Sequence, residues 1–315
     1  MPGESYQQIG AFMDIKTFGY LYHKARGATR DEVIKEAEIS HEEYMLYEQT
    51  LGSVLQDIMQ DRSRASEIGA DFVRLSRYVY GEASDQEKQI TRPDAIKARS
   101  GELFSLPAIG TIAIPSISLH QAIADRRSLR KYANKQISLD ELSFLLWSCS
   151  WARDFRSNER MEITFRNVPS AGSRHPLETY LYIRRVEGLR PGLYYYHPIK
   201  HCLVLLDSSP EKEAELFEGC FRQEMAATSA VNIFWTAVPY RTAWRYGQRA
   251  YRYLYLDAGH AGQNLHLAAE AIGGGACMIG AYLDELMNSA LGIDGKEEFV
   301  IYIATVGKKD FLSES

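Results

Sequence analysis

Strand-like segments in this chain follow one another without a helix regularly placed between them. Residues 179–183, 192–196, 202–206, 232–238 and 299–306 are rich in β-branched and aromatic residues. The second and third are separated by a short turn from His197 to Lys200 and read as a hairpin. Neighbouring parallel strands would each need a long crossover. The expected class is therefore α+β, not a doubly wound sheet. Helical signals fill the gaps unevenly. A helix starts within 117–124 and is ended or extended by Arg126 and Arg127, and Ser138 with Glu141 caps an apolar segment over 142–151. Ala258, Ala261, Leu265, Ala268, Ala269 and Ile272 mark a helix whose small residues permit close packing.

The first hundred of the 315 residues read differently. Residues 15–80 are charged and helical, with capping boxes at Thr29/Glu32 and Ser40/Glu43. Met45, Leu46, Leu51, Val54, Leu55 and Met59 then recur at helical spacing. Residues 81–101 are polar, with Gly81, Pro93 and Gly101, and read as a connector. The expected division is a helical region with linker over 1–100 and a main domain over 101–315. A net charge of −5 disfavours general nucleic-acid binding. Cys149, Cys202, Cys220 and Cys277 stand far apart, which suggests neither a zinc site nor a disulfide framework, but reduced thiols in a cytoplasmic protein. Residues 1–20 include Glu4 and Asp14 and lack an apolar run, so no signal peptide is expected. Residues 103–124 carry no Asp, Glu, Lys or Arg, yet Pro107, Gly110, Pro115, His120 and Gln121 argue against a membrane span.

Four segments have the makings of a site. Arg126, Arg127, Ser128, Arg130 and Lys131 gather cations and a hydroxyl suited to a phosphate; an ordinary basic helix end reads the same way. Pro169, Ser170, Ala171 and Gly172 open a small-residue loop that offers backbone N–H groups to a ligand, or makes a plain turn. Gly273, Gly274, Gly275 and Ala276 allow close backbone approach to a flat ligand, or extend a helix C-cap. Lys308 and Lys309 follow the last strand and add charge to an anion site, or belong to a solvated tail.

Taken together and in order, these segments resemble the FMN-dependent nitroreductase superfamily over residues 105–310. P-S-A-G-S-R-H-P-L-E at 169–178, P-G-L-Y-Y-Y-H-P at 191–198, and Y-R-Y at 251–253 followed by A-G-H-A-G-Q-N at 258–264 resemble its SagB-type branch of azoline and peptide dehydrogenases. The resemblance implies a nitroreductase-like antiparallel sheet flanked by helices, and a homodimer with FMN at the interface. It implies that Arg126 and Ser128 hold the FMN phosphate beside Arg127, that Arg130 lies near the pyrimidine edge, and that Lys308 completes the phosphate site. It implies that Pro169, Ser170, Ala171 and Gly172 reach the flavin, often from the partner subunit, and that backbone of Gly274, Gly275 and Ala276 lies against the ring.

Where that branch carries a Lys-Tyr pair, this chain reads Arg245-Tyr246. The resemblance makes Tyr246 the acid/base group. Arg245 stays protonated and is expected to orient Tyr246. Arg241, Arg245, Arg249 and Arg252 are spaced so that one helix would present all four on one face, as a cationic groove for an acidic peptide or as a solvated surface. The implied activity is dehydrogenation of a small-molecule or peptide substrate. An NAD(P)H-dependent nitro or quinone reductase and a flavin-binding scaffold are the alternatives. Residues 1–100 are expected to cover the dimer, or to clamp a peptide or meet a biosynthetic partner enzyme.

Overall fold

The computed structural model of the chain describes residues 13–114, 116–159 and 162–310. Residues 1–12, which fall in the stretch read for a signal peptide, and Pro115 lie outside the described residues.

Seven strands form one sheet: β1 (Leu103–Ser105), β4 (Leu177–Ile183), β5 (Gly192–His197), β6 (Cys202–Asp207), β7 (Val231–Ala237), β8 (Gly274–Ile279) and β9 (Phe299–Lys308). Their order is β1-β6-β5-β4-β7-β9-β8, and every pairing in it is antiparallel. A separate hairpin joins β2 (Ala152–Ser157) and β3 (Glu162–Arg166). That hairpin was not expected from the residue pattern; its outer strand is almost wholly exposed.

Alternate residues of the central strands serve two cores. Leu181, Ile183, Tyr194, Tyr196, Ile233 and Trp235 face one; Tyr180, Tyr182, Tyr195 and Phe234 face the other. Both faces are covered, so β4 and β7 are buried along their whole length and read as continuous apolar runs. The first face carries α6 (Leu119–Asp125), α7 (Leu139–Cys149) and α11 (Ala250–Ala271). The capping box at Ser138 and Glu141 starts α7 as expected. On α11 a Cβ at Gly262 would lie 2.9 Å from the Tyr302 ring, so the small-residue stripe does bring this helix close to the sheet. The second face carries α8 (Glu211–Gly219), α9 (Glu224–Thr228) and α12 (Asp284–Ala290).

The N-terminal helices α1 (Ile15–Ala25), α2 (Arg30–Glu36), α3 (His41–Thr50) and α4 (Gly52–Ala65) enclose a small core of their own around Tyr20, Val33, Tyr44 and Val54. Both expected capping boxes are present. The apolar periodicity over 45–59 is only partly buried: the chain breaks between α3 and α4, and Met45, Leu46 and Met59 are exposed. After α5 (Ile68–Leu75) the chain runs to β1 as a connector that begins at residue 76, earlier than the stretch 81–101 read as one, and it is firmly docked. The Arg241 Nε donates to the Asp94 carbonyl at 2.8 Å, and the Lys97 N–H to Glu178 at 3.0 Å. The Lys97 ammonium pairs with Glu298. The Glu298 carboxylate is buried and also accepts from Tyr180 at 2.9 Å and Thr236 at 2.6 Å. All four cysteines are buried free thiols, and no helix among the described residues is long and apolar enough to cross a membrane.

Glu298→Ala strands several of these partners at once, so urea denaturation should show a loss of about 3 kcal/mol. Glu38→Ala, at an exposed ion pair, should change stability by less than about 1 kcal/mol.

Candidate functional site

The expected site residues gather in two groups. The first lies at the β8 edge of the sheet. Leaving α6, the chain runs beside β8, where Ser128 bridges Ala276 and the Leu129 N–H donates to the Ala276 carbonyl at 3.0 Å. Two motifs far apart in sequence thus meet, and the open strand edge is covered. The glycines do more here than expose backbone. A Cβ on Gly274 would meet the Gly307 carbonyl at 2.7 Å, and one on Gly275 the Leu129 side chain at 2.8 Å. Gly273, at φ +64°, borders open space.

Arg126 is half-buried, and Arg127, Ser128 and Arg130 are exposed. The Arg127 guanidinium donates to the Ala124 and Arg126 carbonyls, both at 2.8 Å. Arg126 and Arg130 form no ion pair among the described residues. Near Arg126, burial and then that cation hold the His266 imidazole below its ordinary pKa, and its Nδ1 has no partner. Lys308 is engaged: its ammonium pairs with Glu141 and donates to the Ile272 carbonyl at 2.7 Å. Lys309 pairs with Glu270. The unbalanced charge at this end is therefore that of the arginines.

The second group lies where β4 begins. The Ser170 hydroxyl accepts from the His175 N–H at 2.9 Å, and Gly172 adopts φ +59°. A Cβ at Gly172 would stand 2.6 Å from the Tyr246 hydroxyl and 3.1 Å from the Arg245 guanidinium. The P-S-A-G loop and the Arg245-Tyr246 pair are therefore in contact. Both residues belong to α10 (Pro239–Tyr246), which stops at Gly247, φ +52°. Arg245 is exposed, with its guanidinium 5.6 Å from the Tyr246 ring centroid.

The break at Gly247 overturns the expected arginine face. Arg241 is buried and pairs with Glu178 at 2.5 Å. Arg249 donates to the Ser76 carbonyl at 2.7 Å, and Arg252 to the Ser76 hydroxyl at 2.5 Å and the Val73 carbonyl, capping α5. The two helices point these side chains at different partners.

A family model for the nitroreductase family matches residues 123–308, more than half of the chain. The chain belongs to the nitroreductase family. It is 34% identical over 197 residues to a Methanocaldococcus jannaschii protein named as a nitroreductase, covering 62% of this chain and 93% of that one. It is 25% identical over 184 residues to the trifolitoxin-processing protein TfxB of Rhizobium leguminosarum bv. trifolii, covering 56% of this chain and 48% of that one. A nitroreductase crystal structure from Anabaena variabilis superposes with a TM-score of 0.54 at 31% identity, over 67% of this chain and 42% of that one. The chain thus spans less than half the length of the last two.

Members of this family typically bind flavin. The chemistry of the first group suits the phosphate of FMN: Arg126 and Arg130 form no ion pair among the described residues, the Ser128 hydroxyl is exposed, and the imidazole near Arg126 has an orphaned nitrogen. The second group lies elsewhere on the same chain. Asp257 underlies the loop, whereas His266, near Arg126, and Glu270, paired with Lys309, lie about 14 and 20 Å further along α11.

Asp257 was not anticipated, although a carboxylate beside the small buried residues Ala258, Ala261 and Gly262 of α11 is a visible signal. Burial pushes its carboxyl up to about 6, against hydrogen bonds from Ser170 and the Ala171 N–H that favour the ionised form, and its Oδ2 has no partner. Arg166, also unforeseen, is buried beside the loop with Nε and Nη2 unpartnered. Burial, then Arg166 and Arg174, push His175 down to about 2, so it is neutral.

Gly172→Ala should lower stability by more than the ~1–2 kcal/mol of a left-handed backbone alone, because the new methyl displaces Tyr246. Gly188→Ala, at φ +75° in open space, should show only the backbone cost in the same thermal melt. Because the Asp257 pKa is raised on folding, its contribution is complete below about pH 4 and is lost as pH rises through about 6. Asp257→Asn should therefore gain on the wild type by about 2 kcal/mol between pH 4 and 7 in denaturant titrations.

Proposed function

We propose that this protein is a homodimeric, FMN-dependent oxidoreductase that dehydrogenates a peptide or amino-acid-derived substrate. The observation that carries the reading is the contact of Gly172 with the Tyr246 hydroxyl and Arg245, which joins an acid/base group to the loop that the family resemblance assigns to the flavin. The likeness to a trifolitoxin-processing protein supports the peptide class.

Bound FMN supplies a hydride acceptor at N5. Arg126 and Ser128 hold its phosphate with Arg127 alongside, and Arg130 offers a cation to the pyrimidine edge. The backbone at Gly274, Gly275 and Ala276 lines the ring, and Lys308 borders the phosphate with its charge balanced by Glu141. The separation of the two groups along α11 supports a dimer in which Pro169, Ser170, Ala171 and Gly172 of one copy complete the site of the other. Tyr246 takes the proton from the substrate as the hydride leaves carbon. Arg245 is a fixed charge that orients the phenol and the substrate.

Purified protein should be yellow and release FMN on denaturation. An azoline-containing peptide should bleach it without oxygen, and Tyr246→Phe should keep the flavin while slowing bleaching at least about 100-fold. Reduction within seconds by NADPH alone would favour the second reading, a nitro or quinone reductase, which the Methanocaldococcus relative supports. A protein that takes up no FMN overturns both.

A further inference from the structure

A cleft of about 720 Å³ separates the connector from the elbow between α10 and α11. Residues 75–88 form one wall; Tyr240, Arg245, Tyr246 and Arg249 contribute to the other. The connector is held in place along this length. The Gln86 N–H donates to the Trp244 carbonyl at 2.9 Å, the Tyr240 hydroxyl to Asp85 at 3.0 Å, and the Trp244 indole to the Ile90 carbonyl at 3.0 Å. At the far end Tyr78 shares a hydrogen bond of 3.1 Å with the Tyr253 hydroxyl, and Arg249 lies 4.1 Å from the Tyr78 ring centroid. Tyr253 in turn meets Tyr246 edge to face, with centroids 5.1 Å apart. The connector is therefore linked to Tyr246 through a single intervening ring.

The lining has the composition of a recognition surface. Tyr78 and Tyr80 are 71% and 54% exposed on a short turn, so most of each ring faces the water of the cleft. Large aromatic side chains with arginine dominate the energetics of peptide and protein recognition. The charge on the elbow wall is unbalanced. Arg245 meets no carboxylate among the described residues, and Arg249 meets neutral groups: the Tyr253 hydroxyl, the Ser76 carbonyl and the tyrosine rings. Of the acids on the facing wall, Asp85 binds Tyr240 and Lys88, Glu87 caps Ser84, and Glu82 forms no ion pair among the described residues; with Arg77 and Lys88 counted, the lining carries four cations against three acids.

We infer that this cleft is a substrate-docking site for an acidic peptide segment, with Arg245 and Arg249 receiving its carboxylates and Tyr78 and Tyr80 packing on its side chains. The inference deepens the proposed dehydrogenase reading and rests on it for the reacting group. It also assigns the connector of the N-terminal region a purpose: it is the outer wall of the cleft, and its tyrosines set which peptides enter.

The probe is a pair of fluorescein-labelled dodecapeptides, identical except that four Glu in one are Gln in the other, titrated into the full-length protein by fluorescence anisotropy. The Glu peptide should bind at least about tenfold more tightly, and its affinity should fall as salt is raised. Tyr78→Ala and Arg245→Gln should each weaken it about tenfold, and Tyr78→Ala should leave FMN content unchanged. Equal binding of the two peptides, or binding indifferent to Tyr78→Ala, overturns the inference. Flavin bleaching by a small azoline, measured in parallel, separates the two readings. Bleaching lost in Tyr246→Phe without selective peptide binding leaves the dehydrogenase and removes the cleft. Selective, Tyr78-dependent binding with no bleaching by any azoline keeps the cleft and removes the dehydrogenase.

Discussion

The buried pair of Glu178 and Arg241 organises this molecule. Glu178 is the last residue of the P-S-A-G-S-R-H-P-L-E segment and is 1% exposed; Arg241 is 3% exposed. Burial pushes the Glu178 carboxyl up, but Arg241 and Arg166 together outweigh it and hold the group below its ordinary pKa. The carboxylate is saturated by Arg241, the Tyr195 hydroxyl and the Lys97 N–H. Through it, one strand, one helix and the connector are tied at a point. The helix is α10, so the same ion pair fixes where Arg245 and Tyr246 stand relative to the loop that precedes Glu178. A buried pair is weak evidence for net stability, since an apolar substitute often does as well. Its value here is positional, and it acts with the Arg174 Nε, which donates to the Arg241 carbonyl at 2.8 Å, and with the Gly172–Tyr246 contact.

The sheet explains why the two groups of site residues are apart. Its interior strands are covered on both faces, leaving little room for a ligand there. Ligand chemistry is displaced to the margins, at the β8 edge and at the start of β4. The long helix α11 runs past both, its Asp257 under the loop and its His266 beside Arg126. In the proposed dimer a single chain would hold half of the assembly at each end of that helix. A second copy in antiparallel arrangement would juxtapose unlike halves, the simplest closed solution for two identical chains.

Much of this was legible in the sequence, and the reasons differ by element. Capping boxes at Thr29, Ser40 and Ser138 depend only on residues three apart and were recovered at the residue. The β5–β6 hairpin and the buried strands declared themselves by continuous apolar runs. The β2–β3 hairpin did not, because its outer strand is nearly all exposed and lacks alternation. β8 was hidden for another reason: Gly274 and Gly275 carry no strand propensity and are required by close neighbours, a fact visible only once Leu129 and Gly307 are in place. The four arginines from 241 to 252 suggested a single face because spacing is blind to a break. Gly247 was the available sign of one, and its left-handed φ gives the four side chains separate roles. The site motifs themselves could be read, but their division between two places depends on topology.

The replacement of lysine by Arg245 takes on a definite meaning in this geometry. A guanidinium is protonated under any condition the fold survives, so it neither donates nor accepts the proton of the reaction. Arg245 is exposed, meets no carboxylate among the described residues, and touches the space that the absent Cβ of Gly172 leaves free. Its charge therefore acts on whatever enters between the loop and the cleft. In the proposed dehydrogenase the proton would fall to Tyr246, which has the loop on one side and Tyr253 on the other. A lysine would share that work and respond to pH. Arginine instead divides the labour, leaving acid/base chemistry to the phenol and making the neighbouring cation a permanent anchor for substrate charge.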